Sequence, residues 1–590
     1  MNIERVARTV LGAAALCGLL VNTGCNAVIS SNNSSASSTG SSGGTPIASA
    51  KASGSWGASL LAGGTVGIGM FPAKFTFDVN APPDCTNDFV VFNTSLNGNP
   101  GSVANIVAFN ELYSTQGSAG GLCAQNGPSV YWSYFTGTGS AVTSVALSLD
   151  GSKVAFVENN SAATLRILKW KAGEGLGVGS PAAVDQDISG LPWTACSAGN
   201  SCVVSIPLST NTGDPRSAPY VDYANDVIYV GNIFGVLHKF TGVFNGTPAE
   251  VTTGWPITVN SGRTLTSPVY DSVSGNIFVG DSSGRLSYVR DTSSTVGTCS
   301  SGIPPCLGAA TQQVGGGAGA IVDGPILDGA TGFVFAVNGT DALNHGTILQ
   351  ANTDLTSAVQ FSIGGTGNGS QIYGGSFDQA YFNSSAGNIA GFMYVCGKDP
   401  ANISRPAIYQ LSFTPAGVLN SVGTPLLMNS TSDGAACSPV TEINNTGSSA
   451  ASGDWIFFSI GNAAANAAPI PTTSNCRSSV DAVNGNRGCL LGINLTNAAN
   501  PAINPGGTWP PVAGFFTAPG GNNNSNATAL RARNLGSTSG IIVDNVSTAS
   551  QTSNIYFSFP FSAGTGPGLP SCNTTATVGC AVKLAQSKLN

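Results

Sequence analysis

The chain has 590 residues, of which 42% are hydrophobic and only 8% are charged, and its formal net charge is -7. A mildly negative chain without clustered lysine and arginine excludes nucleic acid as the expected partner, because phosphate binding requires a basic surface. The hydrophobic residues recur in strand-sized runs, which excludes a mainly disordered chain.

The N-terminal residues predict export. Arg5 and Arg8 precede the apolar run Val10 to Val21, which is typical of a secretory signal and too short to span a bilayer. The run leads into Val21-Asn22-Thr23-Gly24-Cys25, which resembles a bacterial lipobox with Asn22 at a position that is usually apolar. We therefore predict lipidation at Cys25. A soluble periplasmic or secreted protein is the alternative.

Three regions follow from this interpretation. Residues 1–24 form a signal peptide of the lipoprotein type, residues 25–54 form a Ser/Gly/Asn-rich tether, and residues 55–590 form a single β-propeller domain. The tether would let the folded domain stand off the membrane. We expect a monomer of the bacterial cell envelope, held at the outer membrane and touching lipid only through its anchor.

The strands are predicted as blades in chain order. The first blade contains the runs at 74–79, 88–92, 104–109 and 129–135, and the second contains a hairpin with Asp150-Gly151 at its turn. The third, fourth and fifth blades are copies of one another. The last three comprise segments beginning at Gly375, Ser438 and Gly540. We predict an all-β propeller of eight four-stranded blades, with seven as the alternative.

The three copies carry the strongest architectural signal. Ser217 to Phe240 repeats as Thr266 to Val289, with Pro219, Asp222 and Gly235 each 49 residues before their counterparts. A third copy begins 57 residues beyond the second. The last blade has only three strands before the chain ends. We expect the run Ala58 to Met70 to supply its fourth strand and close the ring.

The shared frame P-V-x-D, G-x-(I/V)-(F/Y)-V-G and G-x-L resembles the blades of the quinoprotein alcohol-dehydrogenase-like, or PQQ-repeat-like, propeller superfamily. The resemblance is clearest over Ser217 to Gln350. It implies a propeller fold, and its most direct enzymatic implication is a quinone-cofactor dehydrogenase. Many such enzymes carry adjacent cysteines, which this chain lacks. We predict no cofactor.

Twelve cysteines remain once Cys17 and Cys25 are set aside from the 14 in the chain. An even number in an exported protein predicts disulfides, and no C-x-x-C motif indicates a metal or redox site. The expected pairs are Cys85 with Cys123, Cys196 with Cys202, Cys299 with Cys306, Cys396 with Cys437, Cys476 with Cys489, and Cys572 with Cys580.

Other chemical motifs are interpreted as structural. Gly280-Asp281-Ser282-Ser283-Gly284 matches the serine-hydrolase pattern G-x-S-x-G, but it lies between strands at repeat positions, which predicts a turn. His238 and His345 have no metal-ligand spacing. Four aspartates recur where first strands turn, and we expect them to cap those turns, with calcium binding by one of them as the alternative: Asp222, Asp271, Asp328 and Asp544.

The predicted function is a noncatalytic binding or assembly scaffold for a protein or glycan partner at the cell envelope. The alternative is a secreted quinoprotein-like dehydrogenase or carbohydrate-active enzyme that uses an axial pocket. Converging charged side chains at the axis would favour the enzyme.

Overall fold

The computed structural model describes residues 56–585 with internal gaps. The gaps are 65–66, 68, 79–80, 115–121, 124–126, 161, 209–215, 295, 318, 341–344, 366–370, 428–436, 446–452, 464–486, 496–515, 518–537, 545–553 and 562–577. The predicted signal peptide, Cys25 and the tether lie outside the described residues.

Eight small, mainly antiparallel sheets form the blades, which confirms eight rather than seven. Strand β1 (Trp56–Ala62) precedes the first blade. That blade contains β2 (Ala73–Phe75), β3 (Phe89–Asn93), β4 (Ile106–Asn110) and β5 (Ser129–Phe135). The second contains β6 (Ser140–Ala141), β7 (Ala146–Leu147), β8 (Lys153–Asn159), β9 (Ala163–Lys169), β11 (Gln186–Asp187) and β12 (Cys202–Pro207). Between β9 and β11, strand β10 (Ala182–Ala183) returns to pair with β5 in parallel.

The three sequence copies form successive blades. The third contains β13 (Tyr220–Asp222), β14 (Val227–Gly231), β15 (Val236–Thr241), β16 (Ala249–Glu250) and β17 (Ile257–Thr258). The fourth contains β18 (Val269–Asp271), β19 (Asn276–Gly280), β20 (Arg285–Arg290) and β21 (Cys306–Gln313). The fifth contains β22 (Ile326–Asp328), β23 (Phe333–Asn338), β24 (Thr347–Asn352) and β25 (Ala358–Ser362).

The last three blades complete the ring. The sixth contains β26 (Ser376–Phe377), helix α1 (Gln379–Phe382), β27 (Phe392–Asp399), β28 (Asn402–Phe413), β29 (Leu419–Val422) and β30 (Leu426–Leu427). The seventh contains β31 (Thr441–Asn445), β32 (Gly453–Ala463), β33 (Arg487–Asn494) and β34 (Phe516–Thr517). The eighth contains β35 (Ile542–Asp544), β36 (Asn554–Phe561) and β37 (Val578–Ala585). No helix in the described part of the chain is long and apolar enough to cross a membrane.

Strand β1 closes the ring by pairing antiparallel with β37, with Trp56 opposite Lys583 and Ser59 opposite Cys580. The predicted closing strand had the wrong bounds, because Ala58 to Met70 does not continue as one strand. Leu61 and Gly63 adopt φ values of 75° and 80°, which break the extended conformation. Met70 lies instead beside the last blade, where its carbonyl accepts from the Gly540 amide.

The hydrophobic core lies between the blades. Alternation along β14 sends Ile228 and Val230 toward the second blade, and Val227 and Tyr229 toward the fourth. Both faces of each inner sheet are therefore buried, which explains why the strands read as continuous apolar runs. Each of the eight apolar clusters among the described residues joins two neighbouring blades.

Candidate functional site

The first strands of neighbouring blades pack beside one another around the axis, so their following turns share one end of the ring. We call this end the turn face. Asp271 caps its turn by accepting from the amides of Val273 (3.0 Å) and Ser274 (3.1 Å). Asp222 and Asp328 accept from the equivalent amides of their own turns. These three aspartates do what the repeat predicted, because a carboxylate at this position satisfies turn amides that lack strand partners.

Asp544, at the same repeat position, contacts a neighbouring blade. The residues after it lie outside the described part of the chain, and its carboxylate forms an ion pair with Lys74 of the first blade (3.2 Å). The Tyr556 hydroxyl donates to the same carboxylate (3.2 Å), and the Tyr113 hydroxyl lies 3.4 Å from it. Asp544 therefore joins the last blade to the first.

The turn face also carries exposed apolar side chains. Phe77, Leu149 and Val273 follow the first strands of the first, second and fourth blades, and their exposed fractions are 49%, 56% and 75%. The Phe77 ring packs edge-on against Phe75, with ring centroids 4.6 Å apart. Burial of such groups against a partner would remove apolar surface from water.

Charged groups link blades at several other junctions. The Asp291 carboxylate of the fourth blade accepts from Lys239 (2.6 Å), the Tyr229 hydroxyl (2.7 Å) and the Trp255 indole (3.2 Å) of the third. Ion pairs that hold blades together in this way are structural contacts.

Three carboxyl groups gather between the sixth and seventh blades. Asp378 caps helix α1 by accepting from the Tyr381 amide (2.9 Å), and burial raises the pKa of Asp378 to about 6. Asp454 accepts from the Gln379 amide (2.7 Å), and burial raises its pKa too. Burial, followed by the hydrogen bond and charge of Asp454, raises the pKa of Glu442 well above its ordinary value.

The axis is the place where an enzyme of this fold would hold its pocket. The Tyr373 ring lies beside Gly69, since a β-carbon at Gly69 would be 3.3 Å from Tyr373 Cε1. Tyr373 precedes the first strand of the sixth blade and Gly69 precedes that of the first blade, so these two entry segments meet. Asp323 is buried nearby and accepts from the amides of Gly324 and Gly374, both at 2.8 Å. Burial raises the pKa of Asp323 to about 6, but both of its oxygens already have backbone donors.

The serine-hydrolase pattern is a turn between β19 and β20. Asp281 accepts from the Ser283 amide (2.7 Å), the Ser283 hydroxyl (2.6 Å) and the Arg285 amide (3.1 Å). Gly284 has a φ of 78°, and a β-carbon there would meet the Gly319 carbonyl at 2.5 Å, so the turn requires glycine. His238 is held in its sheet between Asn232 (3.0 Å) and Glu250 (2.6 Å).

His345 lies just before β24 of the fifth blade, whereas His238 lies in β15 of the third blade. The one group of potential metal ligands found among the described residues is Cys85, Glu111 and Cys123. Cys85 and Cys123 are bonded to each other, so they offer no thiolates for a metal.

Four disulfides have both of their cysteines among the described residues, and each joins a pair expected from the sequence. They are Cys85–Cys123, Cys196–Cys202, Cys299–Cys306 and Cys396–Cys437. Cys580 is also disulfide-bonded, whereas Cys572 and Cys476 lie outside the described residues. Cys489 lies in β33. The disulfides indicate an extracytoplasmic protein, since reducing compartments keep thiols free.

A second series of capping residues was not predicted from the repeats. Asn232, Asp281, Asn338 and Asp399 lie at or directly after the ends of the second strands of four blades, and each side chain accepts from an amide two residues later. The signal was present, because Asn232 and Asp281 follow the repeated glycines Gly231 and Gly280. Buried hydroxyls form a third series, with Ser217 and Thr266 accepting from those two glycine amides (2.8 and 3.0 Å).

Comparisons with known proteins return structural similarity alone. No family model matches the chain, and no curated protein matches it. It is similar to the crystal structure of BamB from Moraxella catarrhalis at 12% identity, covering 66% of this chain and 94% of that one with a TM-score of 0.29. It is similar to Sqt1 from Chaetomium thermophilum at 11% identity, covering 58% and 72% with a TM-score of 0.35. A chain of a mitotic checkpoint complex matches at 9% identity, covering 68% and 89% with a TM-score of 0.32.

Proposed function

We propose that the chain is an exported, noncatalytic scaffold that binds a protein partner through its turn face. The observation that carries this proposal is the exposure of Phe77, Leu149 and Val273 on one end of a disulfide-braced ring. Apolar side chains presented by short turns on a stiff fold bind a partner with little loss of conformational entropy. A glycan is the alternative partner, because the Phe77 ring could stack on a sugar face.

The noncatalytic assignment is supported by how the charged groups are used. Lys239 with Asp291, and Arg166 with Glu158, form ion pairs at 2.6 and 3.1 Å inside the fold. Where the sixth blade begins, the Asp323 carboxylate accepts from the Gly324 and Gly374 amides, and the Tyr373 ring lies beside Gly69. Membership of the quinoprotein-like superfamily remains part of this proposal.

Anchoring at the outer membrane through Cys25 completes the proposal, with residues 25–54 as the tether and a monomeric propeller beyond it. Mass spectrometry of the mature N-terminus is expected to give a lipid-modified Cys25. An unmodified N-terminus beyond residue 25 would contradict the anchor.

Binding is tested by placing a photo-crosslinking amino acid at position 77 or 273 on the turn face. The matched control is position 234, where Phe234 is 36% exposed in a turn at the opposite end of the ring. In envelope preparations we expect a discrete protein adduct from positions 77 and 273 only. Combining Leu149→Ser with either probe is expected to reduce adduct yield several-fold, because it removes apolar contact area.

Two outcomes decide against parts of this proposal. Equal adducts from positions 77 and 234 would refute the turn face as the binding surface. Loss of the adducts on addition of envelope glycan, with a glycan retained on the purified protein, would replace the protein partner with a glycan.

A further inference from the structure

One short turn of the first blade contacts the strands that join the last blade to the first. We call Glu111, Leu112, Tyr113 and Ser114 the seam turn; it follows β4 of the first blade, and the Ser114 amide donates to the Glu111 carbonyl (3.1 Å). Its position puts backbone carbonyls against the strands that close the ring.

Both closing strands donate to this turn. The Trp56 indole of β1 donates to the Leu112 carbonyl (3.2 Å), and the Lys583 amine of β37 donates to the carbonyls of Leu112 and Ser114. Trp56 and Lys583 are fully buried and lie opposite each other in the closing pair. A buried amine or indole that loses its acceptor is costly, so closure depends on the turn keeping this conformation.

The same turn is held at both ends by one disulfide. The Glu111 amide donates to the Cys85 carbonyl (2.9 Å), and the Ser114 hydroxyl lies 3.3 Å from the Cys123 carbonyl. Cys85 and Cys123 are bonded across 38 residues. The disulfide thus fixes the positions of the Cys85 and Cys123 carbonyls, which hold the two ends of the seam turn.

We propose that Cys85–Cys123 is a thiol-sensitive lock on closure of the ring. A dithiol reductant supplies the two electrons. Its thiolate attacks the half-buried Cys85 sulfur, forming a mixed disulfide and expelling the Cys123 thiolate, which takes up a proton. The second thiol of the reductant then forms its cyclic disulfide and releases Cys85 as a thiol. The seam turn is freed, and β1 separates from β37 more often while the other blades stay folded.

The other described bridges have different positions. Cys196–Cys202 and Cys299–Cys306 span 6 and 7 residues inside single blades, far in sequence from the closing strands. Cys396–Cys437 joins the sixth blade to the seventh. Cys196–Cys202 is therefore a matched control, since removing it also deletes two cysteines but leaves the seam turn in place.

Hydrogen exchange of the full chain tests the lock. In the Cys85→Ser/Cys123→Ser variant, we expect exchange in Trp56–Ala62 and Val578–Ala585 to rise at least roughly tenfold, with Val227–Gly231 unchanged. The Cys196→Ser/Cys202→Ser variant is expected to leave the closing strands at the wild-type rate. The remaining bridges, including the one at Cys580, stay intact in both variants.

Unchanged exchange in the closing strands, or an equal rise in Val227–Gly231, would overturn the proposal. If the serine variant fails to fold, the folded wild-type protein is titrated with dithiothreitol. Loss of the Cys85–Cys123 bridge is then followed by peptide mapping alongside exchange. The lock requires closing-strand exchange to rise in step with that bridge; a rise that follows loss of another bridge instead would refute it.

Discussion

Lys583 is the residue whose ionisation bears most directly on closure. Burial lowers the pKa of Lys583 to about 7, against the opposing effect of the Asp544 charge. In the unfolded chain a lysine has a pKa of about 10.4, so between these values the unfolded state binds more protons than the folded one. The free energy of unfolding should therefore rise as the pH increases from about 7 to 10, and reach its lower plateau below 7.

Urea unfolding of Lys583→Met across this pH range checks the effect. In the wild type we expect the free energy of unfolding to rise by an amount on the order of 1 to 3 kcal/mol over this range. The variant should lack this rise, because methionine fills the site without titrating. Lys171→Met is the control, since Lys171 lies on the surface in an ion pair with Glu174. The same slope in wild type and Lys583→Met would show that Lys583 does not titrate with folding.

The sequence predicts the role of a polar residue where the repeat copies align. It does not predict the role of a polar residue that contacts a blade from the other end of the chain. Asp222 and Asp271 were found because they occupy one repeat position and cap one kind of turn. Asp544 shares that position, but its partners Lys74 and Tyr113 come from the opposite end of the sequence. Contacts of this kind depend on which blade becomes the neighbour, which no local pattern encodes.

Strand β1 is the element on which ring closure depends. It covers the edge of β37, and Trp56 packs against Phe109 and Tyr556 with ring centroids 5.9 and 6.0 Å away. Deleting residues 45–70 should uncover this edge and empty the tryptophan site, lowering the melting temperature by about 10 °C or more. Deleting Asn26 to Gly44 should leave it unchanged. Calorimetry showing equal melting temperatures for the two deletions would contradict closure by β1.

The existence of β1 was predictable from the missing fourth strand of the last blade, whereas its bounds were not. The prediction assigned Ala58 to Met70 to that missing strand, but the positive φ at Leu61 and Gly63 ends the strand near Ala62. Helix α1 was also not anticipated, because four residues capped by Asp378 show no helical periodicity.

At the scale of the whole molecule, residues 49 positions apart in the sequence occupy equivalent strand pairings in neighbouring blades. Gly231 pairs with Leu237 in the third blade, and Gly280 pairs with Leu286 in the fourth. Because each blade buries both faces against its neighbours, no blade is stable alone and the ring must close. The turn face could not be predicted as a surface, since Phe77, Leu149 and Val273 lie in dissimilar turns that share only their end of the ring.

The central claim is an eight-bladed ring closed by the N-terminal strand, and a single cross-link tests it. Gly57 lies opposite Val582 in the closing pair, two residues from Cys580. In Gly57→Cys/Val582→Cys, oxidation followed by peptide mapping should give an intramolecular disulfide between positions 57 and 582 in monomeric protein. Free thiols at both positions, or bonds only between different chains, would contradict the closed ring.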